Sequence, residues 1–179
     1  MDTKVITTLL YQEVLERFEM VNSKLIQTPL SAHFRLSCNQ CPRTEDEKAE
    51  MSTIPYSSVV GCLMYAMVLT RPDISYAVSV VSMYMANPGK KHWRAVKWIL
   101  RYLSGTADYR LIYGTKRGTE VNVEGYVDAD YAGDLDKRRS LTGYLFTLSG
   151  CTINWKASLQ SVVALSTTEA EYTAIAEAF

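Results

Sequence analysis

The apolar residues of this chain change their period at Gly105, and that change limits the fold more than any other feature. Before Gly105 they recur every three or four residues, the spacing of a helix face. After it they alternate, the spacing of a half-buried strand. A run of helices followed by a run of strands predicts an α+β fold with segregated elements, not an alternating one.

Residues 3–20 carry Val5, Ile6, Leu9, Leu10, Val14, Leu15 and Phe18 at helical spacing. Pro29 and the polar stretch 31–48 read as a loop, in which Thr44 followed by Glu45 and Asp46 marks a short helix start. Pro55 opens a second helical region with Val59, Val60, Leu63, Met64, Met67 and Val68 on its apolar side. It stops near Thr70-Arg71-Pro72, because proline disfavours helix in the residue before it. Pro72 suits the first turn of a third helix, with Ile74, Ala77, Val78, Val81, Tyr84 and Met85 as its buried stripe and Asn87-Pro88-Gly89 as its end. A fourth helix covers about 90–104, with Trp93, Val96, Ile99, Leu100 and Leu103 on one side and Gly105 as a C-cap. Strands are expected at Tyr109–Tyr113, Glu120–Tyr131, Leu141–Leu148 and Thr152–Lys156. A basic turn at Gly114–Gly118 and a Ser149-Gly150 hairpin turn join them. A last helix starts after Ser166.

Lys+Arg and Asp+Glu are both 19, so net charge points to no partner, and any nucleic-acid surface has to be a local patch. One patch is visible. Lys90, Arg94, Lys97 and Arg101 recur at i, i+4, i+7 and i+11 opposite the apolar side of the fourth helix, with Lys91 and His92 adjacent. By itself this pattern reads as the solvated face of an amphipathic helix. Lys137, Arg138 and Arg139 form a second basic patch, which by itself reads as an ordinary solvated turn. Arg71 can pair with Asp73 or another acid at a helix end. Of four cysteines only Cys38 and Cys41 form a C-x-x-C. A structural zinc needs four ligands and the nearest extra candidate is His33, so the expectation is free thiols in a reducing compartment. Asp2 and Lys4 precede a short apolar stretch, in the wrong order for a signal peptide. No apolar run approaches membrane-spanning length. The expected location is therefore intracellular, in cytoplasm or nucleus, with no membrane partner.

Asp128 and Asp130 lie two residues apart near the end of the strand expected at 120–131, which puts their side chains on one face, roughly 6–7 Å apart. The acids read as a solvated strand face or as half of a metal site. Ser166 and Glu169 fit a capping box, which gives Glu169 a structural task. Glu171 shares a face with Ala174, Ile175 and Ala178, which predicts that it points toward the sheet. A carboxylate there needs either a cation shared with Asp128 or a basic partner.

Three stretches, R-P-D-I (71–74), D-A-D-Y-A-G (128–133) and S-T-T-E-A-E-Y (166–172), occur in the order and approximate spacing of one family. Residues 126–178 resemble the start of the ribonuclease H domain of copia-type retrotransposon polyproteins. Residues 54–106 resemble the segment joining reverse transcriptase to ribonuclease H, and 11–30 the end of the polymerase region. The resemblance implies a reverse-transcriptase remnant at 1–40, a helical connection at 41–107 and a partial ribonuclease H-like domain at 108–179. That domain would be a β-meander of three antiparallel strands and a helix, truncated before a fourth strand parallel to the first. By position, Asp128 matches the family's first catalytic Asp and Glu171 its helix Glu, with Asp130 the second choice on the strand. The implied cofactor is Mg²⁺, held by Asp128, Glu171 and Asp130. The implied substrate is RNA in an RNA–DNA hybrid, with Lys90, Arg94, Lys97, Arg101, Arg138 and Arg139 as nucleic-acid contacts. The rest of the Pol polyprotein is the implied partner. The family's third carboxylate, in an Asp-Asn motif on the fourth strand, has no counterpart in this sequence. The expectation is a fragment without nuclease activity of its own that keeps at most weak nucleic-acid binding, and a first strand with an unpaired edge. The alternative is a non-enzymatic, effector-like interaction protein derived from a mobile element.

Overall fold

A computed structural model describes residues 14–18, 20, 23–109, 111–113 and 122–179. The chain divides into two compact units, Met1–Arg110 and Leu111–Phe179.

The first unit is helical. Residues 14–17 are helical and bury Val14 and Leu15. Residues 3–13 and 19 of the first expected helix lie outside the described residues. Helix α1, Glu45–Ser52, begins on a full capping box. The Thr44 hydroxyl accepts the Glu47 N–H at 3.2 Å, and the Glu47 carboxylate accepts the N–H groups of Arg43 and Thr44 at 2.8 and 3.3 Å. Helix α2, Tyr56–Thr70, buries Val59, Val60, Leu63 and Ala66. A single 3₁₀ turn, Pro72–Ile74, leads into α3, Ser75–Ser82. The stripe expected to reach Met85 is thus helical only to Ser82, although Tyr84 is still buried. Helix α4, Lys90–Gly105, extends through the glycine expected to cap it, and Thr106 takes the cap position.

These helices share one core that also includes Leu36 from the preceding loop. Leu63, Ile74, Val81, Ile99, Leu100 and Leu103 are fully buried in it, each worth about 1.5–3 kcal/mol of transfer free energy. Inside this apolar mass Arg71 is only 1% exposed. It donates to both Asp73 oxygens at 2.9 and 2.7 Å, and to the Thr106 carbonyl and hydroxyl at 3.1 and 2.6 Å. The Tyr102 hydroxyl adds a bond of 2.9 Å to the same carboxylate. Arg71 therefore joins the α2–α3 corner to the end of α4. Among the described residues no single helix is long and apolar enough to cross a membrane.

The second unit is an antiparallel meander of β1, Val123–Asp130, β2, Leu141–Leu148, and β3, Cys151–Leu159, in that spatial order. Ser149 and Gly150 both have positive φ, the backbone a two-residue hairpin turn requires. β3 runs past the expected Thr152–Lys156 in both directions. Tyr109 and residues 111–113 are not in a strand, contrary to expectation, and the turn expected at Gly114–Gly118 lies outside the described residues. Among the described residues β1 pairs on one side only, with β2.

Helix α5, Thr167–Ala178, packs on β1 and β2 through Ala170 and Ala174. Gln160, fully buried, fastens it there: its amide donates to Thr142 Oγ1 at 3.1 Å and to the Ala170 carbonyl at 2.8 Å. The Phe146 ring meets Phe179 edge-on at 5.8 Å. Thr142 and Phe146 point to one face of the sheet, so that is the face α5 covers.

Candidate functional site

Directly opposed residues of an antiparallel pair share a face. Asp128 opposes Gly143, which opposes Ala157 on β3. Asp128 therefore lies on the face away from Thr142 and Phe146, and hence away from α5. It is exposed. A side chain at Gly143 would meet nothing within 4 Å, so the strand beside Asp128 leaves open space for an ion or a phosphate.

Asp130 shares that face but behaves differently. The chain turns directly after it, with the Gly133 N–H bonded to the Asp130 carbonyl at 3.2 Å. Its carboxylate folds over Gly133 so closely that a Cβ there would collide with Oδ2. Gly133 leaves room for the Asp130 carboxylate beside the turn. Asp128 and Asp130 are both exposed, but only Asp130 lies against the turn.

On α5 the cap forms as the sequence suggests, with one difference. Ser166 Oγ accepts the Glu169 N–H at 3.1 Å, while the Glu169 carboxylate reaches past the cap residue to the Leu165 N–H at 2.7 Å. Glu171 is half-buried. The face expected to run through Glu171, Ala174, Ile175 and Ala178 is rotated. Ala170 and Ala174 form its buried centre, while Ile175 is 48% exposed. Glu171 thus stands at the margin of the contact with the sheet. Among the described residues no three His, Cys, Asp or Glu side chains form a group able to hold a metal ion. Asp128 alone fits a hydrated Mg²⁺, which keeps most of its waters and takes one or two carboxylates. The described donors do not fit a complete two-ion cage.

The basic turn between β1 and β2 is closed by its own backbone. Asp134, buried, accepts the Arg138 N–H on its carbonyl at 2.8 Å, and its N–H donates to the Arg139 carbonyl at 3.0 Å. Arg138 takes a positive φ of 58° and is exposed; Arg139 is half-buried.

The basic stripe of α4 is altered at its start. Lys90 pairs with Glu50 at 2.7 Å. His92 is fully buried, its Nδ1 accepting the Gly89 N–H at 2.8 Å and its Nε2 lying 3.2 Å from the Ser37 carbonyl. It closes the first turn of the helix and is not part of the exposed stripe. Gly89 itself is pressed on the Gln40 carbonyl, where a Cβ would collide. Lys91 takes the place of Lys90: with Arg94, Lys97 and Arg101 it lines a cavity of about 800 Å³. Arg35, Phe34 and His33 complete that wall, and nothing in the spacing of α4 could have revealed them because they come from a loop some 60 positions earlier. The Cys38–Cys41 pair opens and follows a 3₁₀ turn, and none of the four cysteines forms a disulfide.

The chain is 58% identical, over 93% of its length, to the Retrovirus-related Pol polyprotein from transposon TNT 1-94 of Nicotiana tabacum. It is 37% identical, over 92% of its length, to the corresponding polyprotein from transposon RE2 of Arabidopsis thaliana. The chain belongs to the copia-type retrotransposon Pol family. It spans 12% and 11% of those two Pol polyproteins. It also matches the Secreted RxLR effector protein 161 of Plasmopara viticola, at 49% identity over 72% of this chain and 89% of that protein. No family model matches the chain, and no solved structure does. Within this Pol-family chain, R-P-D-I is the clamp of buried Arg71 on Asp73, D-A-D-Y-A-G is the end of β1 with its turn, and S-T-T-E-A-E-Y is the capped start of α5.

Proposed function

We propose that this Pol-family segment contributes the first carboxylates of a ribonuclease H-type site and a basic nucleic-acid surface to the handling of RNA–DNA hybrids. Asp128 supports the reading: the exposed acid on the open side of β1, beside the empty space at Gly143, sits at the position the family motif gives to a metal ligand. Glu171 is the helix acid by the same correspondence, but α5 covers the other face of the sheet, so the open position is the one at Asp128. Mg²⁺ bound there would activate water and stabilise the leaving oxygen in phosphodiester hydrolysis. Asp128 would orient the ion, while Asp130, held against Gly133, would shape the turn beside it. Because the described acids form no group of three, the chain by itself is expected to be inactive. Incubated with a labelled hybrid and Mg²⁺, it should cleave no faster than Asp128→Asn. Strong cleavage that the substitution abolishes would show that these two acids suffice.

A second reading draws on a different observation. The match to the effector protein spans 89% of that protein, so a chain built largely of this segment can exist as a separate product. Exposed apolar residues such as Tyr65, Val68 and Leu69 of α2 suit a protein–protein contact. A stable protein complex without affinity for nucleic acid would favour this second reading.

A further inference from the structure

The cavity along α4 has two properties that a solvated helix face does not need. Its charged lining is of one sign: Arg35, Lys91, Arg94, Lys97 and Arg101, with no carboxylate. In a chain with 19 basic and 19 acidic residues, that segregation is local and strong. Its floor is aromatic. Phe34 and Trp98 meet edge to face at 5.6 Å, and the His33 ring lies 4.2 Å from Phe34.

The aromatic wall is held in place. The Trp98 indole N–H donates to the Thr28 carbonyl at 2.9 Å, which fixes the ring. Arg101 donates to the Lys24 carbonyl at 2.7 Å and lies over the Trp98 ring at 5.6 Å. The cations nearer the start of the helix are less committed. Lys91 and Arg94 are exposed, and among the described residues neither pairs with a carboxylate. Fixed rings beside uncommitted cations are the two parts of a single-strand site: bases stack on the rings while the backbone follows the charge. A duplex cannot use the rings, because its base faces are already stacked inside it. The volume of about 800 Å³ is in the range of sites that enclose small organic groups, enough for a nucleotide.

We propose that this cavity binds single-stranded nucleic acid, with an unpaired base against Trp98 and Phe34 and its flanking phosphates on Lys91, Arg94 and Lys97. The inference rests on the nucleic-acid reading above but not on Asp128 or on cleavage. It gives the first unit a task of its own, holding an unpaired stretch rather than the hybrid.

The test uses the full chain and a labelled DNA strand of about twelve nucleotides, free or annealed to complementary RNA. The single strand should bind about tenfold more tightly than the hybrid, and its affinity should fall steeply with salt. It should also quench tryptophan fluorescence. Arg94→Glu, at an exposed position, should weaken single-strand binding by about tenfold without changing the melting temperature. Trp98→Phe keeps an aromatic ring and should preserve most of the affinity while removing most of the quench. Trp98→Leu should lower affinity by about tenfold or more. Hybrid binding as tight as single-strand binding and indifferent to Arg94→Glu would overturn this proposal while leaving the hybrid reading intact. Single-strand binding indifferent to Trp98→Leu would also overturn it. A mononucleotide that binds where the strand does not would reassign the cavity to free nucleotides.

Discussion

Arg71 is a cation held at 1% exposure, and its partners decide whether that is tolerable. Burial raises the Asp73 pKa, but hydrogen bonds and charge from Arg71, with a bond from Tyr102, outweigh it and leave the group below its usual 3.8. A carboxylate with a depressed folded pKa contributes stability above its unfolded value and loses it as pH falls through the folded one. The first unit should therefore weaken as pH drops below about 3.8, and Asp73→Asn should remove that part of the pH dependence in acid unfolding followed by circular dichroism. Arg71→Ala should cost about 3 kcal/mol in chemical denaturation, the low end for breaking a buried pair, because Asp73 keeps some access to water. Tyr56 is a neutral counterpart: burial pushes its pKa well up, and its hydroxyl donates to the Val81 carbonyl at 2.8 Å.

At the scale of elements, the second unit depends on a side chain that no periodicity reveals. Its buried apolar residues are mostly alanines, with Leu141 the largest. Alanines let α5 approach the sheet closely but contribute little burial. Gln160 supplies the bridge from β2 to the helix backbone, and its own N–H donates to the Ser140 carbonyl at 2.9 Å. Gln160→Ala should destabilise the second unit by about 1–3 kcal/mol, since it strands a buried hydroxyl and a helix carbonyl. Thermal unfolding read at Trp155, with Trp93 and Trp98 replaced by Phe, would measure it. The helices begun at Tyr56, Lys90 and Thr167, the hairpin turn at Ser149-Gly150 and the N-caps at Thr44 and Ser166 were legible in the sequence because each depends on residues within four positions of one another. The missing strand at Tyr109–Tyr113 was not: alternation there met no partner strand among the described residues, and a strand without a ladder is not stable.

For the whole molecule, the metal prediction follows from how far the acids are gathered. The described acids form no group of three, so chelating divalent ions should not change the melting temperature measurably. A clear drop on adding a chelator would mean that an ion holds the fold. The sequence by itself determined that helices precede a meander of strands, that Thr44 and Ser166 start helices, and which acids and bases belong to the family's motifs, because these are set by spacing and local chemistry. Only the tertiary structure decided how those residues are used. It turned Asp128 to the open face and folded Asp130 onto Gly133, since strand register and the turn, not the motif, fix where a carboxylate points. It buried His92, paired Lys90 with Glu50, and brought a loop carrying Arg35 and Phe34 to the basic side of α4. Such contacts join residues far apart in the chain, and a pattern along the sequence carries no record of which distant side chain will fill the space beside it.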